Sequence, residues 1–204
     1  MWRFIKYYAL EIYTVIALTL IVLVAMFMGE LSVVQQFVVC MSFLFVLHEW
    51  EEGHYPGGFL NLISGMIHLN ATEEMKRASR VPTGVLLLVY SIVPFVWHEC
   101  TLLVMTMATI GIFEGIIHMV GVRIFQLKRF YTPGMVTAEM ELVTSVLLIV
   151  YLAVNHIGAW YDYVFGVLLF FPSFMCMQKV LTMMFGLRYR DLPKMMKAQW
   201  NKKE

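Results

Sequence analysis

Residues 82–122 read PTGVLLLVYSIVPFVWHECTLLVMTMATIGIFEGIIHMVGV, an apolar run of 41 residues interrupted at His98-Glu99. A helix that crosses a bilayer takes about 20 mostly apolar residues. The run therefore predicts two spans with a tight connection, near 83–103 and 106–124. Working outward, the preceding sequence predicts spans near 9–29, closed by Gly29-Glu30, and near 31–50, closed by His48-Glu49-Trp50-Glu51-Glu52. The following sequence predicts spans near 136–155 and 163–184. The expected fold is an all-α integral membrane protein, one domain over 1–204, with a bundle of about six transmembrane helices and a tail at 188–204. After the second span, the patch from Phe59 to His68 is too short to cross and predicts an interfacial helix or a re-entrant turn.

Composition points the same way. Of 204 residues, 60% are hydrophobic and only 14% charged, against about 25% charged in soluble domains. Six spans leave no length for a separate soluble domain. The net charge of +1 gives no reason to expect nucleic acid as a partner. Cys40, Cys100 and Cys176 sit singly in apolar stretches, without CxxC spacing, so neither a disulfide framework nor a thiolate zinc site is indicated. They are expected to be small core-packing residues. The apolar run from Ala9 to Met28 is longer than a signal-peptide core and lacks a small-residue exit, so it is expected to be a retained first helix. No internal repeat is visible.

The basic residues set the expected orientation, because cytoplasmic loops collect Lys and Arg. Arg3 and Lys6 precede the first span. Lys76, Arg77 and Arg80 lie in the 51–81 loop, and Arg123, Lys128 and Arg129 in the 123–134 loop. Arg188, Arg190, Lys194, Lys197, Lys202 and Lys203 fill the tail, where Met195, Met196 and Trp200 are candidate interfacial contacts, and Lys179 lies just inside the last span. Those are all 15. In a six-span chain they share one side, so both termini are expected in the cytoplasm.

Two local patterns carry the candidate chemistry. His48-x-x-Glu51-Glu52 ends the second span, and Glu114-x-x-x-His118 lies in the fourth. Residues three and four apart share a helix face, so each pattern turns an imidazole and a carboxylate the same way. Spans 2 and 4 both run toward the cytoplasm, which brings the two patterns to similar depth. Ionisable groups inside a bilayer are costly and by default mark function. The alternative for His48 is a satisfied buried hydrogen bond, with the glutamates solvated at the helix end. His48, Glu51, Glu52, Glu114 and His118 are the expected metal ligands, and Glu52 and Glu99 the expected catalytic acids or bases. Glu99 alternatively faces the far surface beside His98. Glu139 and Glu141 read as a solvated helix start favoured by the dipole, and His54 and His68 as surface residues. Carboxylates outnumbering imidazoles, without thiolate, suit a divalent ion, iron as one ion or two ahead of zinc or manganese. Composition and architecture here parallel the carboxylate-bridged di-metal bundles, although the spacing differs from Glu-x-x-His.

The stretch His48-Glu49-Trp50-Glu51-Glu52 with Tyr55-Pro56-Gly57-Gly58-Phe59 resembles the small bacterial membrane proteins named for an HXXEE motif. Glu114 to His118, Tyr131-Thr132-Pro133-Gly134 and Thr137-Ala138 are similar to that family's second block, so the resemblance covers roughly 48–138. Position 114 departs from it, because Asn is expected there. The resemblance supports the same residues and implies no particular reaction.

The leading expectation is a metal-dependent membrane oxidoreductase with a di-iron-like site, acting on a lipid or hydrophobic small molecule. A mononuclear zinc hydrolase is the first alternative, with a glutamate as base toward bound water. A proton- or ion-coupled transporter, in which the cluster relays protons, is the second. Membrane lipids are the expected surroundings, and an oligomer is compatible with the sequence.

Overall fold

A computed structural model of the chain describes residues 1–67, 69–192 and 194. Among the described residues the regular structure is helical throughout. In chain order the α-helices are α1 (Trp2–Tyr7), α2 (Ala9–Ala25), α3 (Val33–Gly53), α4 (Phe59–Met66), α5 (Glu73–Ala78), α6 (Arg80–Val96), α7 (Thr101–Ile124), α8 (Met135–Val154) and α9 (Trp160–Met184). Short 3-10 turns cover Met28–Glu30 and Tyr189–Asp191. Among the described residues, five stretches are long and apolar enough to cross a membrane: α3, α5 with α6 (Glu73–Val96), α7, α8 and α9. Ala9–Ala25 is apolar but shorter, at 17 residues.

Two of the helices begin at side-chain caps. Ser32 and Gln35 form a reciprocal capping box at the start of α3, with Ser32 Oγ accepting from the Gln35 N–H at 3.2 Å and Gln35 Oε1 accepting from the Ser32 N–H at 3.1 Å. Thr72 caps α5 in the same sense.

Packing runs α2 to α3, α3 to α8, α8 to α7, α7 to α9, α9 to α6 and α6 back to α2, with α6 also touching α3 and α7. The ring encloses a core in which Met41, Phe45, Val104, Met107, Leu148, Leu152 and Phe170 are buried. Small residues set the closest helix approaches. A Cβ on Gly111 would lie 2.9 Å from the Glu141 carbonyl oxygen, and one on Gly115 would lie 2.7 Å from Leu142 Cβ. Gly111-x-x-x-Gly115 is thus a small-xxx-small seam of the kind that lets membrane helices approach through their backbones. The outer faces are apolar. Val85, Val89, Ile92 and Val96 form an exposed stripe on α6, and Val143, Leu147, Val150 and Val154 form one on α8. Contiguous apolar exteriors of this extent mark a membrane or partner surface, consistent with an integral membrane protein.

Three expectations are corrected. The connection within the long apolar run is Trp97–Cys100, not residues 103–106, because the turn falls on His98-Glu99, the polar pair that would be costly inside a bilayer. The first helix ends at Ala25, and only a 3-10 turn continues toward residue 30. Cys40, Cys100 and Cys176 are exposed rather than packed in the core, a position that an apolar thiol tolerates on an apolar exterior. The patch after the second span does form a short helix, α4. His68, Met195, Met196 and Trp200 lie outside the described residues, as do Lys197, Lys202 and Lys203.

Candidate metal centre

α3 and α7 each carry their imidazole in their last two turns. The rings of His48 and His118 lie 5.1 Å apart between centroids and almost perpendicular, at 86°. Both are buried, with 5% and 0% of their surface exposed. The juxtaposition expected from the two sequence patterns is therefore present.

The N-terminus of α8 orients both rings. His48 Nδ1 is 3.1 Å from the carbonyl oxygen of Gly134, which can only accept, so Nδ1 carries the proton and Nε2 is left with a lone pair. The same Nδ1–H reaches Thr137 Oγ1 at 3.1 Å, while that hydroxyl donates to Glu51 Oε2 at 2.6 Å. His118 Nδ1 lies 2.8 Å from Thr132 Oγ1, whose own proton can go to the His118 carbonyl oxygen at 3.4 Å. His118 Nε2 is buried without a hydrogen-bond partner among the described residues. Imidazoles anchored through one nitrogen and bare at the other are in the state that metal ligands adopt.

Two carboxylates face those bare nitrogens. Glu52 Oε1 is 3.7 Å from His48 Nε2 and 3.3 Å from His118 Nε2. Glu114 Oε2 is 4.0 Å and 3.8 Å from the same atoms. Ligand atoms of His48, Glu52 and His118 fall within 4.8 Å of one another. A transition-metal ion about 2.1 Å from each donor separates neighbouring donors by roughly 3–3.5 Å, so a slight contraction of this cage would hold one ion. Phe59 of α4 stacks on His118 at 4.8 Å and covers its outer face.

Gly134 is the close approach that permits this geometry. Its φ is +95°, and a Cβ there would lie 2.7 Å from Glu52 Cγ and from His118 Cε1, and 2.9 Å from His48 Cε1. Only glycine fits.

The remaining candidates fall differently. Glu51 does not turn to the imidazoles. Its carboxylate caps α8, accepting from the backbone N–H groups of Val136 at 3.3 Å and Thr137 at 2.9 Å, and from the Tyr131 hydroxyl at 2.9 Å. It acts on His48 through the Thr137 hydroxyl. Open N–H groups at a helix start attract a carboxylate, which outweighs its sharing a face with His48. Glu99 is exposed in the turn before α7, at the other end of that helix from His118, and takes no part. Glu141 is not a solvated helix start. It is fully buried, and among the described residues neither of its oxygens has a hydrogen-bond partner. His54 is exposed, as expected.

Two further residues complete the cluster. Arg80, expected as a loop charge, is buried at the start of α6 and donates through Nη1 to Glu49 Oε2 at 2.7 Å and to Glu52 Oε2 at 3.3 Å. Glu49 is itself only 2% exposed. Arg80 and Glu52 form a shared wall between two cavities. One, of about 310 Å³, is polar and is bordered by Lys76, Arg77, His54 and Asn61. The other, of about 540 Å³, has His48, Glu49, Glu52, Glu114 and Glu141 at one end and apolar walls that include Phe113, Ile117, Phe174 and Leu181.

Thr132, Thr137, Gly134, Glu49, Arg80 and Glu141 are positions in or beside the cluster that spacing alone missed. For Glu141 a signal existed, because Ala138, Glu141, Ser145, Leu148 and Leu152 repeat at helical spacing along the buried face of α8. Comparison with protein-family models, with curated proteins and with solved structures found no match.

Proposed function

We propose that this chain is a metal-dependent membrane enzyme, an oxidoreductase acting on a lipid or other hydrophobic small molecule. Its ion is held by His48, His118, Glu52 and Glu114 near the cytoplasmic face. The observation that carries the reading is the pair of bare Nε2 atoms, each fixed by a partner on its Nδ1, converging on two carboxylates. Two His with carboxylates and open positions is the donor set of non-haem iron sites. The excess of carboxylates over imidazoles at the end of the cavity favours iron over zinc. Iron held there would supply oxidation of unactivated carbon centres, with dioxygen as the oxidant and two electrons per turnover from an external reductant.

The chain's own residues divide the remaining work. Thr132, Thr137 and Gly134 fix the imidazole tautomers, Glu51 holds Thr137, and Phe59 excludes water from His118. The 540 Å³ cavity lies within the range that receives one small ligand, about 300–1,000 Å³. Its apolar walls suit one alkyl chain, whose polar or reactive end would sit at the His/Glu end. The resemblance to HXXEE-motif proteins rests on the same residues and supports the site without assigning the reaction.

Zinc hydrolysis is the second reading. It is favoured by the tighter set His48, Glu52 and His118, which matches the two His and one Glu of catalytic zinc and leaves Glu114 as a base. Elemental analysis of the protein purified in detergent decides between them, joined to mass spectrometry of membrane lipids incubated with it in air and a chemical electron donor. Iron retained by wild type and lost from folded His48→Ala and His118→Ala, with lipid gaining oxygen or losing hydrogen, is the expected result. Zinc with hydrolysed lipid would move the assignment to the second reading. A folded protein that binds no divalent ion would overturn both and leave proton or ion relay.

A further inference from the structure

Glu141 is the one buried carboxylate at this end of the cavity to which the site described above gives no task. It is 0% exposed, and neither oxygen has a hydrogen-bond partner among the described residues. An ionised carboxylate buried without a partner is strongly disfavoured. The Gly111 and Gly115 seam brings the α8 backbone at Glu141 and Leu142 against the α7 turn that carries Glu114. Glu114 and Glu141 are thereby carried on facing turns of α7 and α8. Both side chains line the same cavity, together with Glu49 and Glu52.

Charge makes the same point. Four carboxylates, Glu49, Glu52, Glu114 and Glu141, face this end of the cavity, and Arg80 is the buried cation among them. Arg80 is already engaged by Glu49 and Glu52. One divalent ion among the imidazoles offsets Glu52 and Glu114 and leaves Glu141 uncompensated.

We infer that Glu141 and Glu114 hold a second divalent cation beside the first, with Glu114 shared between the two. This rests on the reading above for the first ion. The donors of the second site are carboxylate oxygens, with no imidazole or thiol, a set that suits a hard, oxygen-preferring ion such as manganous ion. The two sites are therefore unequal: one nitrogen-rich and borderline, the other all-oxygen.

The test uses the full chain in detergent, stripped with chelator and reloaded anaerobically with manganous ion. The metal content per chain and the electron paramagnetic resonance spectrum are then read. Wild type is expected to hold two ions per chain with an exchange-coupled spectrum. Glu141→Gln is expected to hold one, with the spectrum of an isolated ion, while the metal-free variant melts at the wild-type temperature. One ion in both proteins would overturn the second site while leaving the first standing. No ion in folded wild type would remove the first reading as well. Two ions in Glu141→Gln, or two uncoupled ions in wild type, would place the second ion elsewhere and overturn the inference. Should Glu141→Gln fail to fold, the wild-type stoichiometry and coupling still decide the matter.

Discussion

His48 Nδ1 lies 3.1 Å from the carbonyl oxygen of Gly134, and this contact sets the chemistry of the ring's other nitrogen. His118 has an equivalent anchor in Thr132, at 2.8 Å. Removing an outer partner of a ligating imidazole typically lowers metal affinity by about 10–100-fold. Thr132→Val should therefore weaken ion binding by that factor, measured by competition with a chelator of known affinity, while Thr132→Ser should restore most of it. Equal affinity in wild type and Thr132→Val would show that the His118 tautomer is set without Thr132.

Gly134→Ala tests the close approach above the two rings. The added methyl meets Glu52, His118 and His48 at 2.7–2.9 Å, and the backbone stays at a φ of +95°. The left-handed conformation alone costs a non-glycine residue about 1–2 kcal/mol, and the three contacts add to it. The expected outcome is a lower melting temperature in detergent together with loss of ion binding. A variant that melts lower yet binds normally would mean that the rings can shift without opening the cage.

Much of this was legible in the sequence, and the failures share a cause. The long apolar run, His48 and Glu52 at helical spacing, and Glu114 with His118 led to the bundle and to four of the cluster residues. Glu51 was misplaced because spacing reports the face of a residue's own helix and is silent about a neighbour. The N–H groups of α8, 85 positions away along the chain, claim its carboxylate. Arg80 was counted as a loop charge because the sum of basic residues is blind to a partner such as Glu49. Glu99 was placed inside a span because the turn has no Gly or Pro signal of its own; His98-Glu99 was itself the signal.

Tyr131, in the loop before α8, gives a pH signature. Its hydroxyl donates to Glu51 at 2.9 Å, and burial, reinforced by that bond, pushes its pKa up to about 12. The unfolded value is about 10. The folded value is the higher of the two, so the stabilisation is fully present below pH 10 and is lost as pH rises toward 12. Wild type should therefore lose stability more steeply than Tyr131→Phe between about pH 10 and 12, followed by chemical denaturation in detergent. Parallel curves would show that the Tyr131–Glu51 bond contributes nothing.

The proposed orientation follows from the one-sided placement of basic residues. Single cysteines introduced at Asn155 and Arg188, in a background lacking Cys40, Cys100 and Cys176, should react with a membrane-impermeant reagent from opposite faces of oriented vesicles. Labelling from the same face would contradict six crossings with both ends in the cytoplasm.

Arg80 supplies the prediction that ties stability to the ion. It is 8% exposed, and its Nη1 bridges Glu49 at 2.7 Å and Glu52 at 3.3 Å. Removing one partner of a buried pair costs about 3–5 kcal/mol, because the charge left behind is uncompensated. Arg80→Leu should lose stability on that scale, and adding Glu49→Gln should recover most of the loss by removing the stranded charge. The ion-bound state should respond differently. Without Arg80 the carboxylates around the two imidazoles are more negative, so a divalent ion has more charge to offset and should bind the folded state more tightly. A ligand that binds the folded state alone at 100 times its Kd adds about 2.7 kcal/mol, and tighter binding at fixed ion concentration enlarges that term. The rise in melting temperature on adding ferrous or manganous ion should therefore be larger in Arg80→Leu than in wild type. A smaller rise would mean that Arg80 holds Glu52 in the position the ion requires, and that its role is to orient a ligand more than to balance charge.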